Sequence, residues 1–304
     1  MVTSRIAATG AGIPDQIITN DDLAKIMDTS DEWIRQRTGI GERHISGGED
    51  LSYYTSKAAK QIIERAGIAP ADIELIVVAT VTADYCTPSA ACMVQKEIGA
   101  VNAVAFDVTA ACSGFLYGVS VADKFIRCGI YKNALVIGGE ILSKIVDWKD
   151  RSTCVLFGDG AAATLIQKNN NIFYSYLDSA GNREVLYAND YLKMKGQEVF
   201  KFAIQTIPQS IDHVLNQAKM TLEEIDYVVC HQANERIIKH VYKKYQCPQE
   251  KFYMNLQEYG NTSAASIPLA LAEMNEKGLL KKGMKIILVG FGGGLTWGAL
   301  LMEW

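Results

Sequence analysis

Ala66-Gly67-Ile68-Ala69-Pro70-Ala71-Asp72-Ile73-Glu74-Leu75-Ile76-Val77-Val78 can be laid on Ala218-Lys219-Met220-Thr221-Leu222-Glu223-Glu224-Ile225-Asp226-Tyr227-Val228-Val229-Cys230 at an offset of 152 residues. In both copies a helix end leads through an Ile and an acid into a β-branched apolar run. At the same offset Ala134-Leu135-Val136-Ile137-Gly138 falls on Ile286-Ile287-Leu288-Val289-Gly290. A third pair, Phe157-Gly158-Asp159-Gly160 and Phe291-Gly292-Gly293-Gly294, is offset by 134, so the first half carries 18 extra residues between Gly138 and Phe157. A unit this long lies far outside solenoid periods and reads as a duplicated fold.

Within each half, apolar runs of four to six residues read as strands buried on both faces. Helical periods separate them. Tyr53–Ala66 places Ala58, Ala59, Ile62, Ile63 and Ala66 on one stripe and stops at Gly67. Ser89–Ile98, opened by Pro88 and closed by Gly99, shows the first-turn proline and terminal glycine of a helix. Cys112–Cys128, Glu198–Ala218, Glu235–Tyr245 and Ser263–Lys277 are the other helix candidates. The alternation predicts α/β layering, two sheets sandwiching shared helices. The Asn-rich segment Gln167–Lys195 reads as the bridge between halves spanning 1–166 and 167–304.

Composition narrows the partners. With 304 residues, 49% apolar and 21% charged, the chain can build a core without metal or disulfide staples. Thirty basic against 34 acidic residues give a net charge of −4, which argues against wrapping nucleic acid. No apolar run reaches the ~18 residues of a membrane span. Met1-Val2-Thr3-Ser4-Arg5 lacks a secretion-signal layout, and seven cysteines without C-x-x-C spacing read as reduced thiols of a cytoplasmic protein.

Four positions carry candidate chemistry. Cys112 follows the strand Phe106-Asp107-Val108 and the small residues Thr109-Ala110-Ala111, at a helix start. There the free N–H groups and the dipole favour a thiolate. The alternative is a small buried hydrophobe, which Cys86, Cys92, Cys128, Cys154 and Cys247 suit better. His231 closes the run Val228-Val229-Cys230, at a strand end where open α/β sheets gather reactive groups; it also reads as a hydrogen-bonded core imidazole. Asn261 lies three residues before Ala264, which the repeat pairs with Cys112; it is a site amide or a helix cap. Gly292-Gly293-Gly294 permits close backbone approach and offers N–H groups to an oxyanion, without the context of a dinucleotide loop.

Asp28-Thr29-Ser30-Asp31-Glu32-Trp33-Ile34, Arg37-Thr38-Gly39-Ile40, Pro88-Ser89-Ala90-Ala91-Cys92, Ala110-Ala111-Cys112-Ser113-Gly114-Phe115, Phe157-Gly158-Asp159-Gly160-Ala161, His231-Gln232-Ala233-Asn234, Gly260-Asn261-Thr262-Ser263-Ala264-Ala265-Ser266 and Phe291-Gly292-Gly293-Gly294 follow one another in this order. As a set they resemble the β-ketoacyl-acyl-carrier-protein synthase III family over essentially the whole chain. That resemblance implies a thiolase-like fold, two duplicated α/β halves in an α-β-α-β-α sandwich. It implies a decarboxylative Claisen condensation that joins an acyl-CoA primer to malonyl-acyl-carrier protein, starting fatty-acid synthesis, in a homodimer without cofactor or metal.

By the same resemblance Cys112 takes the acyl group, His231 and Asn261 stabilise the enolate formed as CO2 leaves, and the Cys112 and Gly293 amides hold the later oxyanion. Trp33 stacks on adenine with Arg37 and Arg151 nearby, and Gly196, Phe200, Asn234 and Arg236 line the tunnel. The segment Gln232, Ala233, Asn234, Glu235 and Arg236, with Lys239, Lys243 and Lys244, docks the acidic carrier; the basic residues recur at helical spacing, which a merely solvated face would also show. Thr87 stands where the enterobacterial type has phenylalanine reaching into the partner's acyl pocket, so branched or longer primers are expected as well as acetyl. The region Asp178–Met194 is shorter than usual for the family. Alternatives from the same residues are a ketosynthase III of secondary metabolism and a Cys-His-Asn acyl-CoA hydrolase.

Overall fold

A computed structural model describes residues 2–304. The chain begins with β1 (Thr3–Gly12), then β2 (Gln16–Thr19), α1 (Asn20–Ala24), α2 (Asp31–Thr38), β3 (Glu42–Ile45), α3 (Leu51–Ala66), β4 (Leu75–Ala79), α4 (Ala90–Ile98) and β5 (Val104–Val108). It continues through α5 (Gly114–Arg127), β6 (Asn133–Glu140), β7 (Gly160–Asn169), β8 (Phe173–Asn182) and the short ribbon β9 (Leu186–Ala188) with β10 (Leu192–Met194). The last part holds α6 (Gly196–Ala218), β11 (Tyr227–Cys230), α7 (Glu235–Lys244), α8 (Leu256–Tyr259), α9 (Ser266–Glu276), β12 (Lys285–Gly292) and β13 (Gly294–Glu303).

The 152-residue offset reappears in the backbone. It carries β6 onto β12, the 3-10 turn Pro70–Asp72 onto Leu222–Glu224, and the turn Ala111–Ser113 onto Ser263–Ala265. Strand β7 maps on β13 at the shorter offset of 134. The extra residues are therefore the loop between β6 and β7; in the second half only Gly293 separates the equivalent strands. One sheet has the order β1-β7-β6-β4-β5 and the other β11-β12-β13-β8. The second half lacks a fifth strand: where Ile76 of β4 pairs with Ala105, its counterpart Val228 keeps only an isolated bridge to Phe252.

Five layers follow from what each face buries. Helices α3 and α4 cover the outer face of the first sheet, α5 and α9 fill the space between the sheets, and α6 and α7 cover the second. Every residue of β4 is buried, as are Ile286–Val289 of β12, which explains their unbroken apolar character. Three apolar cores result among the described residues, one under each outer helical layer and one shared between the two sheets and the central helices. Leu116, Val119, Ile126, Leu271 and Met274 form part of the central one.

Within Gln167–Lys195, β8 pairs antiparallel with β13 along its length, and the turn is confined to the Asn-rich residues before it. Two local expectations are corrected. Pro88 is not in the first turn of α4. Ser89 is the cap, its Oγ accepting the Cys92 N–H at 3.2 Å, while the Asp107 carboxylate accepts the Ala90 and Ala91 N–H groups. Helices α5 and α9 start after a 3-10 turn, so Cys112 lies in that turn and not in the α-helix.

Candidate active site

The turn that carries Cys112 begins with Ala111 at φ +45°, and its repeat counterpart begins with Ser263 at φ +49°. Left-handed backbone costs a residue with a β-carbon roughly 1–2 kcal/mol. Both halves retain the strain at the same place, one residue before Cys112 and one before Ala264. Only the first half therefore carries a thiol at this place. Gly292 then packs on the turn. A β-carbon there would sit 2.6 Å from the Cys112 nitrogen. Gly293, next in the chain, lines the same cavity as Cys112.

His231 follows β11 and is 2% exposed. Ser266 Oγ lies 2.7 Å from its Nδ1 and accepts the Gln232 N–H at 3.3 Å. In the tautomer in which the serine donates to Nδ1, the ring proton sits on Nε2. Burial holds the imidazole down at about 3, hence neutral. Phe291 packs edge-on against the ring at 5.5 Å. Asn261 is pinned by its backbone: its N–H donates to the Leu156 carbonyl at 2.8 Å and its carbonyl accepts from Gly158 at 3.1 Å. Its Oδ1 accepts the Ser263 N–H at 2.9 Å, which turns the NH2 group outward.

Cys112, His231, Asn261 and Gly293 all open on one cavity of about 1060 Å3. Trp33, Arg37, Arg151, Gly196, Phe200 and Asn234 also line it. The Arg37 and Arg151 guanidiniums lie 4.4 and 4.7 Å over the Trp33 ring, concentrating positive charge beside an aromatic face. Leu186, Tyr187, Leu192 and Met194 of the β9–β10 ribbon form a further wall.

Other expected site residues lie elsewhere. Arg236 packs over Phe200 at 5.7 Å but is outside the cavity lining. Thr87 is exposed and does not line the cavity of its own chain. Gln232 is 1% exposed; its amide donates to the Cys230 and Tyr253 carbonyls and its Oε1 accepts the Asn255 N–H, so it braces the site and offers no docking surface. Lys239 is half-buried and paired with Glu235 at 3.0 Å. Ala233 and Asn234 are half-buried, whereas Arg236, Lys243 and Lys244 are exposed along α7.

The thiol departs from the helix-start expectation. Burial pushes the Cys112 thiol up to about 12, the hydroxyl of Ser263 beside it opposes that rise, and the carboxylate of Glu140 adds to it. Desolvation outweighs the N–H groups of the turn and favours the protonated thiol, although Cys112 is only half-buried where it lines the cavity. Glu140, Ser263 and Ser266 were not among the sequence-derived site residues. Ser263 and Ser266 lie in a motif quoted for Asn261, and Glu140 is an acid closing an apolar strand.

Residues 106–181 match the family model described as 3-Oxoacyl-[acyl-carrier-protein (ACP)] synthase III, and residues 215–304 match 3-Oxoacyl-[acyl-carrier-protein (ACP)] synthase III C terminal. The Beta-ketoacyl-[acyl-carrier-protein] synthase III of Clostridium novyi (strain NT) is 50% identical over 323 positions, covering 100% of both chains. Those positions outnumber the 304 residues, so that relative has residues this chain lacks. A crystal structure of 3-oxoacyl-[acyl-carrier-protein] synthase III from Aquifex aeolicus VF5 superposes with a TM-score of 0.97 at 46% identity, over 99% of this chain and 100% of that one. The priming β-ketosynthase of the R1128 polyketide biosynthetic pathway superposes with a TM-score of 0.92 at 31% identity, over 98% and 96%.

Proposed function

Because the chain belongs to the 3-oxoacyl-[acyl-carrier-protein] synthase III family, we propose that Cys112, His231 and Asn261 divide its condensing reaction between an acyl-transfer step and a decarboxylation step. The enzyme is an acyltransferase of the condensing type that starts fatty-acid synthesis. In the first step the Cys112 sulfur attacks the thioester carbonyl of acyl-CoA and CoA leaves, giving an acyl-cysteine. In the second, malonyl-acyl-carrier protein enters and its C–C bond to the carboxylate breaks. The electron pair moves onto the thioester oxygen as CO2 departs. The Nε2–H of His231 and the amide NH2 of Asn261 donate to that oxygen, both as neutral groups whose hydrogen bonds strengthen as charge develops. The carbanion attacks the acyl-cysteine carbonyl, the Cys112 and Gly293 N–H groups hold the oxyanion, and the cysteine sulfur leaves.

One observation carries this reading: three groups far apart in the chain open on a single cavity, on a backbone whose strained turn is duplicated in both halves. Trp33 with its two guanidiniums suits the adenine and phosphates of CoA. Arg236, Lys243 and Lys244 offer the acidic carrier protein an exposed positive face, with Lys239 partly neutralised. A homodimer fits the open edge of the first sheet. Strand β5 has one neighbour only, and Val104, Val101, Val81 and Tyr85 are exposed around it. A second copy adding its own β5 would cover them and bring Thr87 against the partner. Seven unpaired thiols suit a cytoplasmic setting. The steps use side chains and amides alone.

Intact-mass analysis after exposure to a panel of acyl-CoA thioesters, followed by malonyl-carrier protein, tests the whole reading. The expected result is an acyl adduct on Cys112 that disappears as β-ketoacyl-carrier protein and CO2 form; the thioesters that load also identify the primer. Release of free acid without malonate would instead indicate a hydrolase. The structural likeness to a polyketide priming enzyme supports a second reading, the same chemistry with another primer, which the panel separates.

A further inference from the structure

Glu140 ends β6 with its side chain fully buried and has no basic partner among the described residues. Such a carboxylate must be satisfied by hydrogen bonds. The Val81 N–H, Thr80 Oγ1 and Thr82 Oγ1 donate to Oε2 at 3.1, 3.1 and 2.6 Å, and Ser263 Oγ donates to Oε1 at 3.2 Å. Three of these donors are fixed by the frame. Val81 gives a backbone amide; Thr80 Oγ1 already accepts the Thr82 N–H at 3.0 Å, and Thr82 Oγ1 accepts the Ile141 N–H at 2.9 Å. Ser263 differs, because it also lines the cavity on which Cys112 opens, and its turn packs against the turn that carries Cys112. The left-handed turn at Ser263 stands opposite the left-handed turn at Ala111, so the duplicated strain joins nucleophile, hydroxyl and carboxylate in one chain.

We propose that Glu140 receives the Cys112 thiol proton through the Ser263 hydroxyl when the cysteine is acylated. The substrate in this statement rests on the condensing reading above; the proton transfer does not. The S–H bond of Cys112 breaks and its proton passes to Ser263 Oγ, whose own proton moves to Glu140 Oε1. The sulfur lone pair forms a bond to the thioester carbon. The bond from that carbon to the CoA sulfur breaks with its electron pair, and the CoA sulfur takes up the proton as Glu140 returns to carboxylate. Cys–SH and acyl-CoA thus give acyl-Cys and CoA–SH with nothing left over.

The electrostatics agree. A thiol lifted to about 12 by burial needs an acceptor at neutral pH, and the same burial lifts Glu140 to about 7, where it can hold or release a proton. Titratable groups facing this chain of atoms are few. His231, across the cavity, is neutral, and Asp107 of β5 is tied to the Ala90 and Ala91 amides. Thr80, Val81, Thr82 and Ser263 carry no charge.

The test compares full-length parent, Glu140→Gln and Ser263→Ala proteins in two assays of Cys112: alkylation by iodoacetamide and acylation by acyl-CoA, each followed by intact mass from pH 5.5 to 10. Alanine suits position 263, since Ala111 holds nearly the same φ in the other half. In the parent, both rates should rise through neutral pH. Each variant should react about a hundredfold more slowly at pH 7, the low end of what a positioned base contributes, with its midpoint moved toward the thiol's own alkaline range. Unchanged midpoints in Ser263→Ala would overturn the relay, whether or not Glu140→Gln folds. A shifted alkylation profile without any acylation in the parent would uphold the relay and sink the condensing reading instead.

Discussion

Gly292→Ala probes the closest backbone approach in the site. The added methyl would lie 2.6 Å from the Cys112 nitrogen, 3.1 Å from the Ser113 nitrogen and 3.2 Å from the Ala111 Cβ. These atoms belong to a strained turn and cannot swing aside like the end of a lysine. Ordinary contact begins near 3.4 Å, so the turn must retreat by about 0.8 Å. Displacing a reacting group by about 1 Å costs on the order of a hundredfold in rate. We therefore expect Cys112 acylation to slow by roughly 30–100-fold, with overpacking costing about 1–3 kcal/mol of stability. Gly293→Ala is the control, since its nearest contact would be the Leu186 carbonyl at 3.3 Å and its loss should stay under about tenfold. Rapid-quench intact mass with saturating acyl-CoA gives the rate, and thermal unfolding by circular dichroism shows that the variant is folded. A folded Gly292→Ala protein that acylates within threefold of the parent would refute the claim that this approach sets the position of the sulfur.

Three further outcomes are expected. His231→Ala and Asn261→Ala should each keep Cys112 acylation while slowing condensation about 10²–10³-fold, read by single-turnover product formation; loss of acylation in His231→Ala would overturn the division of roles. His231 is held near 3 in the fold against 6.5 when free, so its contribution to stability is complete above pH 6.5 and is lost as pH falls toward 3. Glu140, raised to about 7 from 4.5, runs the other way, stabilising below pH 4.5 and losing that effect as pH rises through 7; urea titrations of the parent, His231→Ala and Glu140→Gln from pH 4 to 8 separate the two slopes. Val104→Lys, which places a charge on the open edge of β5, should convert a dimer to monomer in sedimentation velocity, and a variant sedimenting like the parent would remove this edge from the interface.

Much of this architecture was legible in the chain because local spacing encodes it. The 152-residue offset and its shortening to 134 located six paired elements and the inserted loop, since strand length and helix start depend on neighbours in sequence. Cys112, His231, Asn261 and Gly293 were singled out as candidates from strand ends, the repeat and a glycine cluster, and their roles came from an ordered set of motifs that resembles a family. The ionisation of Cys112 was not legible. A helix start argues for a thiolate, yet burial raises the thiol where Gly292 and Ser263, each more than a hundred positions away, meet the turn that carries it. Gln232 illustrates the same limit: it adjoins a site residue in sequence, but Tyr253 and Asn255 absorb its amide. Glu140 is an ordinary acid on paper. Its meaning depends on Ser263 from the other half of the chain, and only the packing of one half on the other brings that hydroxyl between carboxylate and sulfur. Periodicity and motif order thus determine which elements exist, whereas burial and hydrogen-bond partners, and with them protonation, arise only when distant segments exclude water from one another.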